Sequence, residues 1–188
     1  SKNGRKFLEK FKRDFWLDLK INDIPQTALS AIDSLGDLKK CKFITVHANG
    51  GLDMLKAVKK HAKKINKNLK VLGVTILTSL NNKSVKEIGH TKNIQQLVLK
   101  QAELVKKSGC DGIVCSPEES SIVRKKFKNL LIITPGVRLP GDKKNDQARV
   151  MTPNYAFKNK VSGVVMGRSL TKGNIKHNVQ KLIDHLSR

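Results

Sequence analysis

Phe15-Trp16-Leu17-Asp18-Leu19-Lys20-Ile21-Asn22-Asp23-Ile24-Pro25-Gln26-Thr27 carries an apolar run into charge and then into a helix start. Side chains at i and i+2 of a strand share a face, so Asp18 and Lys20 leave the strand on the same side. Asp23 follows in the turn, and Pro25 suits the first turn of a helix, where its missing N–H is no loss. Two carboxylates around one ammonium keep that lysine charged and fix its head group. Charged residues that break an apolar strand are costly unless they are paired or used in chemistry. The stretch therefore predicts a strand that ends in a functional Asp–Lys pair.

The same succession repeats along the chain. Short runs rich in Val and Ile cover Phe15–Leu19, Phe43–Val46, Val71–Leu77, Gly112–Cys115, Leu130–Ile133 and Gly163–Met166. They mostly lack polar alternation, as expected of parallel strands covered by helices. Helix-like segments lie between them, over Pro25–Leu38, Gly51–Asn66, Asn93–Ser108, Pro117–Phe127 and Gly173–Leu186, and Lys6–Arg13 reads as a helix end feeding the first strand. Strict alternation of this kind predicts a parallel α/β domain.

Two parallel architectures compete, an open doubly wound sheet and a closed barrel. No G-x-G-x-x-G follows the first strand, which weakens the dinucleotide-binding form of the open sheet. Polar residues recur instead at the C-terminal ends of successive runs: Asp18 and Lys20, His47, Thr78 and Ser79, Ser116, Arg138, Arg168. A ring of functional groups at that end is how (β/α)8 barrel enzymes are built. The reading is a TIM (β/α)8 barrel, incomplete at the N-terminus, with about six of eight strands present, as one domain over residues 1–188.

Composition narrows the function classes. No apolar run reaches the ~18 residues of a membrane-spanning helix. Three cysteines, Cys41, Cys110 and Cys115, are too few and wrongly spaced for a disulfide framework or a zinc site, and they read as small buried residues of a reduced, cytoplasmic protein. The formal net charge of +23 raises the question of nucleic acid. The excess is scattered lysine, as in Lys56, Lys59, Lys60, Lys63, Lys64 and Lys67 on one helix, and aromatics are only 4% of the chain, so bases have little to stack on. Nucleic acid is therefore not an expected partner. No His/Asp/Glu cluster has metal-ligand spacing, and neither metal nor cofactor is expected.

Seven segments in order make a sharper identification possible. They are D-x-K-x-x-D as Asp18, Lys20 and Asp23; Ile44-Thr45-Val46-His47-Ala48-Asn49-Gly50-Gly51; Gly73-Val74-Thr75-Ile76-Leu77-Thr78-Ser79; Asp111-Gly112-Ile113-Val114-Cys115-Ser116; Thr134-Pro135-Gly136-Val137-Arg138; Asp146-Gln147-Ala148-Arg149-Val150-Met151-Thr152-Pro153; and Gly167-Arg168-Ser169. Together the chain resembles the bacterial orotidine 5′-phosphate decarboxylase family over essentially its whole length.

That resemblance implies decarboxylation of orotidine 5′-phosphate to uridine 5′-phosphate in de novo pyrimidine biosynthesis, without a cofactor. Lys20 would protonate the C6 carbanion, and Asp18 would sit against the substrate carboxylate and help hold Lys20. Asp23, Ile24 and Thr27 would reach into the neighbour's site across a homodimer. Thr78 and Ser79 would read the pyrimidine edge, and Arg138, Gln147, Gly167 and Arg168 would grip the phosphate. The grip also stands on chemistry: arginine offers a planar fork of donors, and barrels commonly bind phosphate after their last two strands. Alternatives are a keto-sugar-phosphate decarboxylase or aldolase of the same barrel superfamily, and a non-catalytic basic remnant that binds polyanions.

The family pattern starts with a strand carrying an Asp for the ribose and a second strand carrying another Lys, and this sequence matches neither. The chain alone is accordingly expected to be poorly soluble or inactive. Soluble expression of these 188 residues with full turnover of orotidine 5′-phosphate is the outcome that overturns this expectation.

Overall fold

The computed structural model describes residues 2–142 and 151–187. Among them the chain forms two compact units, one from residues 2–74 and 101–112, the other from 75–100, 113–142 and 151–187.

The first unit begins with α1 (Lys2–Glu9), followed by β1 (Phe15–Ile21), α2 (Pro25–Asp33), β2 (Cys41–His47), a 3₁₀ turn (Ala48–Gly50), α3 (Gly51–Ile65) and β3 (Lys70–Val74). Strand order follows the chain, β1-β2-β3, and both pairings are parallel. β2 and β3 stay in step from Phe43↔Lys70 to His47↔Val74, whereas β1 and β2 slip between Phe15 and Trp16 and again between Leu17 and Ile21. Aromatic residues anchor the start of β1, with Phe11 edge-on to Phe15 at 5.8 Å and Trp16 tilted against Phe43 at 6.2 Å.

α3 shows why this segment is helical. Met54, Leu55, Val58 and Ala62 fall on one stripe and are fully buried, while Lys56, Lys60, Lys63 and Lys64 lie exposed. Asp53 in its first turn and Lys63 and Lys64 in its last complement the helix dipole. The remaining lysine of that face, Lys59, turns inward and holds Asp111 at 2.5 Å. Asp111 also accepts from the Val71 N–H at 2.8 Å, so one carboxylate ties helix to strand.

The second unit contains α4 (Asn82–Glu87), the first part of α5 (Ile94–Ser108), most of β4 (Gly112–Val114), α6 (Pro117–Lys126), β5 (Leu131–Thr134), α7 (Pro153–Lys158), β6 (Gly163–Val164), α8 (Arg168–Thr171) and α9 (Ile175–Leu186). The strand order is again that of the chain, β4-β5-β6, with Ile133 opposite Gly163 and Thr134 opposite Val164 in parallel. Val85, Val98, Ile113, Val123, Ile132 and Ala156 are fully buried here. Ser116, Thr152 and Asn174 cap α6, α7 and α9, each accepting a backbone N–H of the helix it starts.

Three expectations need correction. The helix expected over Pro25–Leu38 ends at Asp33, and the chain continues in tight turns that still bury Leu35 and Leu38. Ser34 donates back to the Ala31 carbonyl at 2.7 Å, a local bond that competes with the helix, so the apolar spacing outlasted the helix itself. The strand expected over Val71–Leu77 ends at Val74. Finally, β1 is half-exposed to exposed rather than covered, and α9 leaves Ile175, Val179, Ile183 and Leu186 open along one face.

Gly73 is a packing requirement. A Cβ there would overlap Val105 Cγ2, so the strand can lie against α5 only without a side chain at this position. Gly73→Ala should destabilise the protein by about 1–3 kcal/mol, read from the urea midpoint at unchanged slope. The double variant with Val105→Ala should cost less than the two single changes added together; strict additivity would show that the two side chains do not meet.

Candidate active site

The charged pair predicted from the sequence is formed at the irregular part of β1. Lys20 Nζ donates to Asp18 Oδ2 at 2.5 Å, with both side chains about half exposed, at 43% and 51%. At that exposure the pair adds little to stability, on the order of 0–1 kcal/mol, and it holds the ammonium beside one carboxylate oxygen. Lys20 itself has φ 50°, a left-handed conformation uncommon outside glycine.

Two neighbours on β2 complete this cluster. Thr45, fully buried, accepts from the Lys20 N–H at 2.9 Å and donates its hydroxyl to Asp18 Oδ1 at 2.8 Å. His47 is half-buried at the end of the strand. Burial lowers its pKa from the usual imidazole value, the Lys20 charge pushes the same way, and Asp18 opposes them. His47 thus lies within the field of the pair. Thr45 carried no sequence signal beyond being a hydroxyl in an otherwise apolar run.

Asp23 does not join them as a second carboxylate on Lys20. Its Oδ1 accepts from the Ile24 N–H at 2.8 Å, a local turn bond at the start of α2. Pro25 then occupies the first helical turn, as its fixed φ favours. Asp23, Ile24 and Thr27 all face solvent, Ile24 at 67% exposure.

The second unit holds the other candidates. Thr78 is buried and Ser79 exposed in the loop leading to α4, which Asn81 caps through the Lys83 and Ser84 N–H groups. Beyond β5, Val137 bridges in parallel to Met151, and the Arg138 N–H donates to the Met151 carbonyl at 3.0 Å. Arg138 is only 7% exposed; Nη1 donates to the Val137 carbonyl at 2.9 Å, and Nε is buried without a hydrogen-bond partner among the described residues. Gly167 and Arg168 follow β6, both exposed, and no described residue lies within 4 Å of where a Gly167 Cβ would stand. Since β5 and β6 are parallel neighbours, the segments carrying Arg138 and Gly167-Arg168 leave the same end of this sheet. Gln147 lies outside the described residues.

All three cysteines are free and buried, as expected, and burial pushes the Cys110 thiol up to about 11, so it is inert at neutral pH. Among the described residues no His, Cys, Asp and Glu cluster could hold a metal ion, and no helix is long and apolar enough to cross a membrane.

Comparison with known proteins decides the family. The family model described as "Orotidine 5'-phosphate decarboxylase / HUMPS family" matches residues 2–181. The chain belongs to this family. It is 41% identical over 180 residues to a protein of Ligilactobacillus salivarius named orotidine 5′-phosphate decarboxylase, covering 93% of this chain and 76% of that one. A protein of the same name from Staphylococcus epidermidis is 38% identical over 169 residues, covering 89% and 73%. The crystal structure of orotidine 5′-phosphate decarboxylase from Lactobacillus acidophilus superposes with a TM-score of 0.79 at 30% identity, over 93% of this chain and 76% of that one. The six parallel strands thus belong to a (β/α)8 barrel fold of which this chain represents a part.

The shared field around Lys20 can be read by NMR. The His47 ring should titrate below the usual ~6.5. Lys20→Ala should move that midpoint up and Asp18→Asn should move it down; a midpoint that ignores both changes would separate His47 from the pair. The sign for stability follows. As pH falls, the unfolded chain takes up this proton before the folded one. His47 therefore contributes stability that is fully present above the ordinary imidazole pKa and is lost as pH falls from there through its lowered folded value.

Proposed function

We propose that this chain is an orotidine 5′-phosphate decarboxylase, acting in pyrimidine biosynthesis in the cytoplasm. The observation that carries the reading is the Lys20–Asp18 pair, fixed at the end of β1 in a chain of this family.

The proposed chemistry is short. Asp18 stands against the substrate carboxylate, and the C6–carboxylate bond breaks to release carbon dioxide. Its electron pair stays on C6, where the Lys20 ammonium, already in place, stabilises the developing charge without reorganising. Lys20 then gives a proton to C6 to form uridine 5′-phosphate, and the neutral amine regains its proton from solvent. Thr78 and Ser79 read the pyrimidine edge. Arg138, Gln147, Gly167 and Arg168 hold the phosphate, and binding energy from that remote group offsets the cost of placing two carboxylates together.

Several features support the assignment of the phosphate residues. A buried guanidinium with a donor left over, as at Arg138, suits an anion that brings its own acceptors. The open backbone at Gly167 allows close approach by a phosphate oxygen. The net charge of +23 would draw anionic nucleotides toward the protein.

A homodimer with shared sites is part of the proposal. In it, Asp23, Ile24 and Thr27 of one protomer complete the site of the other, which accounts for an isoleucine exposed at 67% beside a carboxylate that Lys20 of its own chain does not use.

Carbon dioxide release from orotidine 5′-phosphate, followed with and without a chelator on a protein that joins this chain to the family's two N-terminal βα units, tests the reaction. Turnover should be indifferent to the chelator and fall by roughly 10³-fold or more in Lys20→Ala. Uridine 5′-phosphate binding, measured by calorimetry, should weaken about tenfold or more in Arg138→Ala or Arg168→Ala, the loss of one charge-assisted contact. Chelator-sensitive turnover would move the chain to a metal-dependent sugar-phosphate enzyme. Salt-dependent RNA binding that survives Lys20→Ala, with no nucleotide turnover, would make it a polyanion binder.

A further inference from the structure

Opposite one residue of β2, the first strand has three. Leu17 faces Ile44 and Ile21 faces Val46, so Asp18, Leu19 and Lys20 together stand across from Thr45. A bulge of this kind takes backbone N–H groups out of the ladder and re-aims side chains. The Lys20 N–H is one of them, and it belongs to a residue at φ 50°.

The Thr45 hydroxyl takes up that N–H at 2.9 Å and passes its own hydrogen to Asp18 Oδ1 at 2.8 Å. The other Asp18 oxygen receives Lys20 Nζ at 2.5 Å. Three bonds therefore close a ring that begins at the Lys20 backbone, passes through one fully buried hydroxyl and one carboxylate, and returns to the Lys20 head group. A small side chain that accepts and donates at once must be a hydroxyl. Valine would match its shape and make neither bond.

We infer that Thr45 is a positioning residue, which sets the left-handed backbone of Lys20 and the rotamer of Asp18 so that the ammonium points at the reacting carbon. It does not touch substrate in this scheme; it acts through the other two. The inference deepens the decarboxylase reading, because it rests on Lys20 as the proton donor.

Thr45→Val and Thr45→Ser test it, with two independent readouts. In decarboxylation, Thr45→Val should lower kcat roughly 10²-fold, the scale of a misplaced reacting group, with KM little changed. Thr45→Ser, which keeps both bonds, should recover most of that loss. Amide hydrogen exchange reads the same bond without turnover. In the unaltered chain the Lys20 N–H should exchange as slowly as the ladder amides of β2, and Thr45→Val should speed it by about tenfold or more while Ile44 and Val46 stay protected.

A Lys20 amide as fast as that of Asn22 in the unaltered chain overturns the inference, and this comparison stands even if Thr45→Val does not fold. So does an unchanged kcat in Thr45→Val, or an equal fall in Thr45→Ser, which would assign the role to packing by the methyl group. If the unaltered chain joined to the family's two N-terminal βα units does not decarboxylate, the functional reading fails by itself, and the exchange data still decide whether Thr45 holds Lys20.

Discussion

A parallel strand in register pairs alternate backbone N–H groups with carbonyls of its neighbour and fixes the face to which each side chain points. β1 is in register with β2 at Trp16 and Leu17 and loses it over the next three residues, where Asp18 and Lys20 stand. Losing the ladder bond at Lys20 would leave a donor without a partner, which costs more than a hydrogen bond gains. The Thr45 hydroxyl removes that cost and, in doing so, orients Asp18. The irregularity is thus held open by the groups it serves to present.

The regular parts of the first unit make the irregular part possible. β2 and β3 run in step over five residue pairs, and the fully buried Ile44 and Val46 flank Thr45 on the same strand. Gly73 lets α5 lie close against β3, and Asp111 ties Lys59 of α3 to the Val71 backbone. A hydroxyl held in such a strand cannot drift, so the bond it makes to β1 has a fixed length and direction. The position of the Lys20 ammonium therefore begins in apolar packing that touches neither charge.

Charge is distributed by the same logic. Most lysines of α3 face water and pair with no carboxylate among the described residues, whereas Lys59 and Lys20 each meet one carboxylate at 2.5 Å for different ends. The first pair joins two elements. The second is half exposed, contributes little to stability, and keeps its ammonium open on one side. Arg138 presents the opposite case, a guanidinium almost closed off from water that donates through Nη1 to the Val137 carbonyl, with Nε still to be matched among the described residues.

Much of this was legible in the sequence. Short apolar runs marked the six strands among the described residues: Val and Ile where burial leaves a composition that needs no partner to be read, and Phe15, Trp16 and Leu17 in the half-exposed β1. The D-x-K-x-x-D spacing was enough to place Asp18 and Lys20 on one face, and they do meet. The short helices α4, α7 and α8 escaped, being under two turns and too brief to show a period. Asp23 was expected on Lys20 and bonds instead to the next backbone N–H, since the bulge and the turn set directions that spacing alone does not. Thr45 was invisible for a deeper reason: it stands 27 residues from Asp18, and only the register of β1 on β2 brings the two together. Local pattern determined which residues lie on strands and which carry charge. Which hydroxyl answers which carboxylate was decided by strand pairing, an interaction between distant segments that no local pattern records.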